Sequence, residues 1–452
     1  MKRRVTVRVT WAAMVAFGLV LMTPVTARTE ENVNTDTFKA LDLFGEVFDR
    51  VRQDYVTPVT DKKLVESAIR GMLTSLDPHS SYMDAKEYSD MQVQTEGQFG
   101  GLGIEVTQEK GLIKIVTPID DTPGSRAGLK PGDYIVALDG KIVTSMTLED
   151  AVNHMRGAPD TQVKLTIRRG SLAPFDVTLT RAIIHIASVK GMVMRDSIAY
   201  LRIASFSAAT TTELQKAFGT VKKKAGKITG VVLDLRNNPG GLLDQAVGVS
   251  DAFLEHGEIV STRGRSPNMV QRWDARGGDI TSGVPIVILI NGGTASAAEI
   301  VSGALQDNHR ALILGTRSFG KGSVQTIMPL SGDNGAIRLT TARYYTPSGK
   351  SIQDQGISPD IIVQPAKVET IAETGQIREA DLKGALKNTG PDSGAVAPAE
   401  APASTADAAD DATAGKDGAE KDIAAAEAKD YQLTRALDLV KGAAFFAAQN
   451  AN

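Results

Sequence analysis

Two apolar runs limit what this chain can fold into more than any other feature: Ile228 to Leu235, and Pro285 to Ile290. Each reads as a strand buried inside a sheet. Helical segments alternate with such strands through this part of the chain. Ile198 to Ile203 and Ala311 to Leu314 are strand-like, while Thr211 to Lys224, Leu242 to Leu254 and Ser296 to Asp307 carry helical patterns. Apolar strands separated by helices predict an α/β layer around a largely buried sheet.

The flanking regions differ in texture. Phe38, Leu41, Phe44, Val47, Phe48 and Val51 recur at helical spacing; Pro58 breaks the pattern, and Leu64, Ala68, Ile69, Met72 and Leu73 form a second stripe that stops near Asp77-Pro78. His79 follows as a turn residue. Between Gly97 and Arg181 the chain turns β-rich, with strands at Ile113 to Val116 and Val163 to Ile167 and one helix at Leu148 to Met155. Residues 383–425 are rich in Ala, Asp, Pro and Gly, lack the apolar content for a core, and are expected to be disordered. Beyond them, within 426–452, Leu433, Leu437, Val440 and Phe445 share one side of a helix. That stripe has two outlets: the chain's own core, or a homodimer or higher homo-oligomer in which it pairs with the stripe around Phe44 and Phe48.

The first 27 residues set an expectation for the compartment. Lys2, Arg3, Arg4 and Arg8 precede an apolar run from Val9 to Met22, and small residues end at Ala27. The run is short for a membrane span and reads as a secretory signal peptide. An exported protein follows, periplasmic in a Gram-negative source; membrane association through an uncleaved anchor is the alternative. With 50 Lys+Arg against 53 Asp+Glu, the formal charge of -3 gives no general attraction to nucleic acid. The absence of cysteine excludes thiol nucleophiles, disulfides and cysteine-zinc sites, and 5 histidines supply a metal centre poorly.

Three stretches carry chemistry. In Asn291 to Ile300 a strand ends in a glycine-rich turn and Ser296 opens a helix. A serine there can attack a carbonyl while the Ala297 N–H faces the developing oxyanion, or it can serve only as a helix cap. Thr294 and Ala295 precede it, so there is no Gly-x-Ser-x-Gly elbow. A nucleophilic serine needs a base, and no histidine stands in a triad motif. Lys321, between Gly320 and Gly322, is the alternative base, given burial or a nearby positive field to make it neutral. If this segment is a strand, Lys321 and Gln325 share a face, and Gln325 can accept from the amine and fix its lone pair. In Asp234 to Gly241 a strand runs into a Pro-Gly-Gly turn, where Gly240 or Gly241 offers a second oxyanion N–H.

The β-rich stretch resembles a PDZ domain. Pro123 to Ile135 and Leu138-Asp139-Gly140 follow its spacing, and the N–H groups of Gly101, Leu102, Gly103 and Ile104 are placed to hold a peptide carboxylate. The motifs in order, Arg236 to Gly241, Thr294 to Glu299, Phe319 to Gly322 with Val324-Gln325, and Tyr345 to Gln353, resemble those of carboxyl-terminal processing peptidases, also called tail-specific proteases. The resemblance spans Phe38 to Val363. It implies an α/β peptidase core of crotonase-like, ClpP-like type at 183–366, a PDZ domain inserted at 97–182, and an N-terminal helical region at 28–96. It implies Ser296 as nucleophile, Lys321 as general base, Gln325 as its orienting residue, and oxyanion donors at Ala297 and Gly240 or Gly241. Glu299 and Asp307 match acidic positions taken to support the helix and its surroundings. No metal or cofactor is implied. The expected partners are proteins with unfolded C-terminal tails, with room for an adaptor lipoprotein. An inactive PDZ adaptor and a structural cell-envelope protein are the competing readings.

Overall fold

The computed structural model describes residues 30–119, 121–367, 369, 379, 382–386 and 430–450. The expected signal peptide and nearly all of the expected linker lie outside the described residues. The chain divides into two compact units, one ending at Ser75 and the other beginning at Leu76. The first holds helices α1 (Glu30–Asp54) and α2 (Asp61–Thr74), the latter capped by Thr60, whose hydroxyl accepts from Lys63 N. Among the described residues much of the apolar stripe of α1 is exposed: Phe38 is 60% and Phe44 50% exposed. Among the described residues no helix is long and apolar enough to cross a membrane.

The second unit opens with the turn Asp77–Ser80 and strand β1 (Ser81–Met83), followed by α3 (Ala85–Glu96). A capping box between Asp84 and Glu87 starts that helix, and Gly97 ends it at a φ of 70°. Strand β2 (Gln98–Gly101) leads into the β-rich module, made of β3 (Ile104–Glu109), β4 (Leu112–Pro118), the short turn α4 (Pro123–Arg126), β5 (Tyr134–Leu138), β6 (Lys141–Ile142), α5 (Leu148–Met155), β7 (Gln162–Arg168) and β8 (Phe175–Thr180). Its sheet runs β3-β4-β5-β7-β8, with β6 on β5. Ile113, Ile115, Ile135, Leu138, Val163, Leu165 and Ile167 alternate into one separate core. Strand β9 (Ala182–His185) returns beside β2 and closes the module's base.

The remaining chain builds the core. Strand β10 (Val189–Val193) is antiparallel to β11 (Ile198–Ile203); α6 (Thr210–Ala225) then crosses to β12 (Gly230–Asp234), and α7 (Leu243–Asp251) follows. An outlying hairpin, β13 (Glu258–Gly264) and β14 (Val270–Asp274), precedes β15 (Ile286–Ile290), α8 (Ala297–Asp307) and β16 (Leu312–Gly315). Strands β17 (Ser323–Pro329) and β18 (Ala336–Tyr345) form a second hairpin, and β19 (Ile361–Ile362) completes the central sheet in the order β10-β11-β12-β15-β16-β19, parallel from β11 onward. Strand β18 also pairs with β1 and β13, so the second sheet ties the start of this unit to its end.

The two faces of the central sheet divide its side chains by period two. Ala199, Leu201, Val231, Leu233, Ile286, Ile288 and Ile290 meet α6, α7 and α8; Ile198, Tyr200, Val232, Val287 and Leu289 face the other way. Helix α9 (Tyr431–Asn450) covers that second face with Leu433, Ala436, Leu437 and Val440, all buried. Of the two outlets for this stripe, the structure takes the chain's own core, because the second sheet face is apolar and needs a cover. Phe445 lies beyond the contact and is exposed.

A polar clamp fixes the helix start. Asp430 takes a bidentate pair from Arg236 (3.0 and 2.7 Å) and also accepts from Leu433 N, so it caps α9 while holding the core. Arg236 pairs on its other side with buried Asp234, which also receives Tyr200 and Arg202. Gln432 accepts from Arg236 and donates to Val363 O.

Candidate active site

Two turns at the C-terminal ends of neighbouring parallel strands are laced together. After β12, Asn237 N–H donates to Asn291 Oδ1 and Asn238 O accepts from Ala295 N–H (both 2.9 Å). After β15, Thr294 Oγ1 donates to Leu235 O. Gly240 lies so close to the second turn that a Cβ would sit 2.8 Å from Ser296 Cβ and 3.0 Å from Ala297 N. Only glycine allows that approach.

Ser296 occupies the junction between this turn and α8 with φ 53° and ψ -114°. An ordinary N-cap takes extended angles, so capping alone does not account for this residue. The left-handed backbone is strained and turns the serine sharply at the strand-to-helix bend. Its own N–H donates to Glu299 Oε2 at 2.8 Å. Among the described residues, nothing accepts the N–H of Ala297 or of Gly241. The Gly240 N–H is taken by Asn238 Oδ1 at 2.8 Å. Of the two glycines named from the sequence, Gly241 therefore has the available donor, and Gly240 supplies space.

Glu299 is the hub. It is wholly buried and accepts four hydrogen bonds: Ser296 N and Lys321 N on Oε2, Ser318 Oγ and Gly320 N on Oε1, at 2.6–2.9 Å. Burial pushes its carboxyl up, more strongly than these donors hold it down. One carboxylate thus ties the backbone of the serine to that of the lysine. Asp307, at the far end of α8, accepts from Ser348 N and supports the helix end from outside the site.

Lys321 is half-buried on the loop before β17. Burial, then the positive charge of Arg338, lower its pKa, while Asp77 and Glu299 pull the other way. No hydrogen bond joins Lys321 Nζ to Ser296 or to any other described residue. The expected bond to Gln325 is also not formed: Gln325 Nε2 donates to Ser323 Oγ (2.9 Å) and Thr340 Oγ1 (3.3 Å). The reason is local. Strand β17 begins only at Ser323, and a register shift falls between Val324 and Gln325, so the face sharing expected of a regular strand from Lys321 onward does not hold.

Two nearby residues, Asp77 and His79, read from the sequence only as parts of a turn. Asp77 accepts from His79 N, Ser80 N, Ser80 Oγ and Thr340 Oγ1. His79 is half-buried; burial and then the Lys321 charge lower its pKa. The Asp-x-His-Ser spacing was the available signal, since Asp binding N–H groups two and three residues on is a known turn device. Among the described residues no group of three or more His, Asp or Glu side chains could hold a metal ion.

In the β-rich module, Leu102 is buried in the core, so its side chain is not free to meet a ligand; Ile104 is half-buried. Among the described residues nothing accepts the N–H of Leu102 or Gly103, and β3 carries no strand on the edge away from β4. Gly101 lies in β2, paired with Ala182.

Comparison with known proteins gives the family. Residues 197–363 match the family model described as Peptidase family S41, residues 114–169 the PDZ domain, and residues 10–87 the activating protease CtpB N-terminal domain. The carboxy-terminal-processing protease of Bartonella bacilliformis is 54% identical over 82% of this chain and 85% of its own length. This chain belongs to the carboxy-terminal-processing protease family. Further members are the carboxy-terminal processing protease CtpA of Bacillus subtilis, 36% identical over 71% of this chain and 68% of its own, and the carboxyl-terminal-processing protease of Synechocystis, 36% identical over 70% and 74%. As a family member the chain is a serine-type peptidase, with an α/β peptidase core and an inserted PDZ domain.

Proposed function

We propose that this chain is an exported endopeptidase that cuts proteins at bonds upstream of an unfolded C-terminal tail, with Ser296 as nucleophile and Lys321 as general base. The observation that carries the reading is the strained Ser296 bend, set beside the open N–H groups of Ala297 and Gly241 and tied through Glu299 to the Lys321 loop. Ser296 Oγ attacks the scissile carbonyl and gives its proton to neutral Lys321 Nζ. The carbonyl oxygen, now anionic, takes the N–H groups of Ala297 and Gly241 at the positive end of α8. The C–N bond breaks as Lys321 returns the proton to the leaving amine. The lysine then takes a proton from water as it attacks the ester, and passes that proton to Ser296 Oγ when the acyl C–O bond breaks, which frees the serine and releases the new carboxylate. Four rotatable bonds let the lysine close on the serine.

The PDZ domain selects the chain end. The unpaired edge of β3 can accept an extended peptide as an added strand, with its carboxylate on the N–H groups of Leu102 and Gly103. The substrates are proteins with unfolded tails, export follows from the N-terminal 27 residues, and an adaptor lipoprotein or a homo-oligomer is compatible with this scheme.

Ser296→Ala tests the nucleophile. With a disordered test protein the variant should show no cleavage while melting within a few degrees of wild type, since alanine is no worse at this φ than serine. Cleavage by a clean preparation of the variant would remove Ser296 from the mechanism.

A further inference from the structure

Gln325 is separated from Lys321 here, yet its amide is not free to turn. Its orientation is set by a chain of hydrogen bonds that ends at the turn before β1. Asp77 accepts from four donors. Burial pushes its carboxyl up, but the bonds from Ser80, His79 and Thr340 outweigh that and hold it below its ordinary range. It is therefore an anion that can only accept. Thr340 Oγ1 has one proton, and that proton goes to Asp77 Oδ1 at 3.1 Å. Toward Gln325 the same oxygen can then act only as an acceptor, so the amide must present Nε2 to it. The second partner of Nε2, Ser323 Oγ, uses up the other amide hydrogen. Gln325 Oε1 is left without a donor among the described residues.

The backbone repeats this logic. Ser80 Oγ gives its proton to Asp77 Oδ2 (2.6 Å) and so accepts from Thr340 N–H (3.1 Å). Thr340 stands opposite Gln325 in the β17–β18 ladder, and Ser81 stands opposite Arg338 in the β1–β18 ladder. The turn is thus stapled to the strand beside the base.

We propose that Asp77 and Thr340 are positioning residues for proteolysis: they fix the Gln325 amide so that Oε1 is the acceptor offered to Lys321. This rests on Lys321 being the base and on its side chain reaching Gln325 when it closes on Ser296, since the two are not bonded in this structure. Without the Asp77 anion the Thr340 hydroxyl can donate to Gln325 instead. The amide then turns over and presents N–H groups to the lysine, a donor facing a donor. The charged or titratable groups that act on Lys321 are Arg338, Asp77 and Glu299, with His79 beside them.

The test compares Thr340→Val, Thr340→Ser and Asp77→Ala by kcat, KM and the pH dependence of kcat on a peptide substrate. Valine keeps the shape and removes the hydroxyl; kcat should fall roughly tenfold to a hundredfold with KM changed less than about twofold. Serine should restore most of kcat. Asp77→Ala, which removes the oxygen that accepts from Thr340, should also lower kcat and move the acid limb to lower pH, because the Asp77 charge opposes the lowering of the Lys321 pKa. A valine kcat within about twofold of wild type overturns the proposal, and so does a loss that serine does not restore. If the valine variant does not fold, an Asp77→Ala enzyme with wild-type kcat and an unmoved acid limb overturns it equally. Lys321→Arg run alongside separates the two readings. An active arginine variant refutes the base itself, whereas an inactive one beside a fully active Thr340→Val refutes the relay alone.

Discussion

Glu299→Gln isolates what the buried hub contributes. The carboxylate has an acceptor oxygen on each side, with two donors on each. Glutamine has one oxygen. The lower-cost orientation keeps that oxygen on Ser296 N and Lys321 N and turns the amide nitrogen toward Ser318 and Gly320. The Ser318 hydroxyl can rotate and accept, although it already accepts from Ile357 N. The Gly320 N–H cannot, and faces another donor. A buried donor left unpaired costs about 1–3 kcal/mol, and replacing charge-assisted bonds by neutral ones costs about 1 kcal/mol more each. Relief from burying an anion offsets part of this, so a net loss of about 2 kcal/mol is expected. A domain of ordinary stability, about 5–15 kcal/mol, survives that. Catalysis suffers more, because the displaced peptide immediately precedes Lys321. A shift of about 1 Å in a catalytic group lowers the rate roughly a hundredfold. Thermal melts and kcat on a disordered protein should therefore separate: a fall of a few degrees, and a rate near one hundredth. A folded variant with kcat within about threefold of wild type would show that the carboxylate does not set the position of the lysine.

Two further outcomes test the chemistry and the substrate choice. Lys321→Arg should be inactive, since arginine stays protonated; in wild type, activity should rise with pH as Lys321 deprotonates below its ordinary value of about 10.4, and a flat profile across that range would count against the base. Matched unfolded peptides that differ only in a free or amidated C-terminus should be cut at rates several-fold apart, a preference expected where the N–H groups of Leu102 and Gly103 hold a carboxylate; equal rates would leave the module a gate or a scaffold.

The sequence exposed the parts of this protein whose signal is local. Helix α5 begins and ends where its pattern does, and β11, β12 and β15 fall within their apolar runs. The residues Ser296 and Lys321 stood out because glycines and small residues surround them. What stayed hidden depends on contacts between distant segments. The positive φ of Ser296 goes with the close approach of Gly240, from a turn bonded across 54 residues of chain to the one it meets. The choice between Gly240 and Gly241 turns on one side chain, Asn238, taking one N–H. The placement of Gln325 turns on a shift in register that no periodicity announces. Asp77 looked like a helix-stopping turn because its partner, Thr340, lies 263 residues away.

The Arg236–Asp430 clamp spans 194 residues of chain. At synthesis rates of about 5–20 residues per second, roughly 10–40 seconds separate the emergence of its two halves. Throughout that interval the strands that carry the glycine turn exist with one face of their sheet bare and the guanidinium at their tip held from one side only. The last described helix is therefore the last structural partner to be made: the second sheet face and the outer side of Arg236 are completed only by residues past 430.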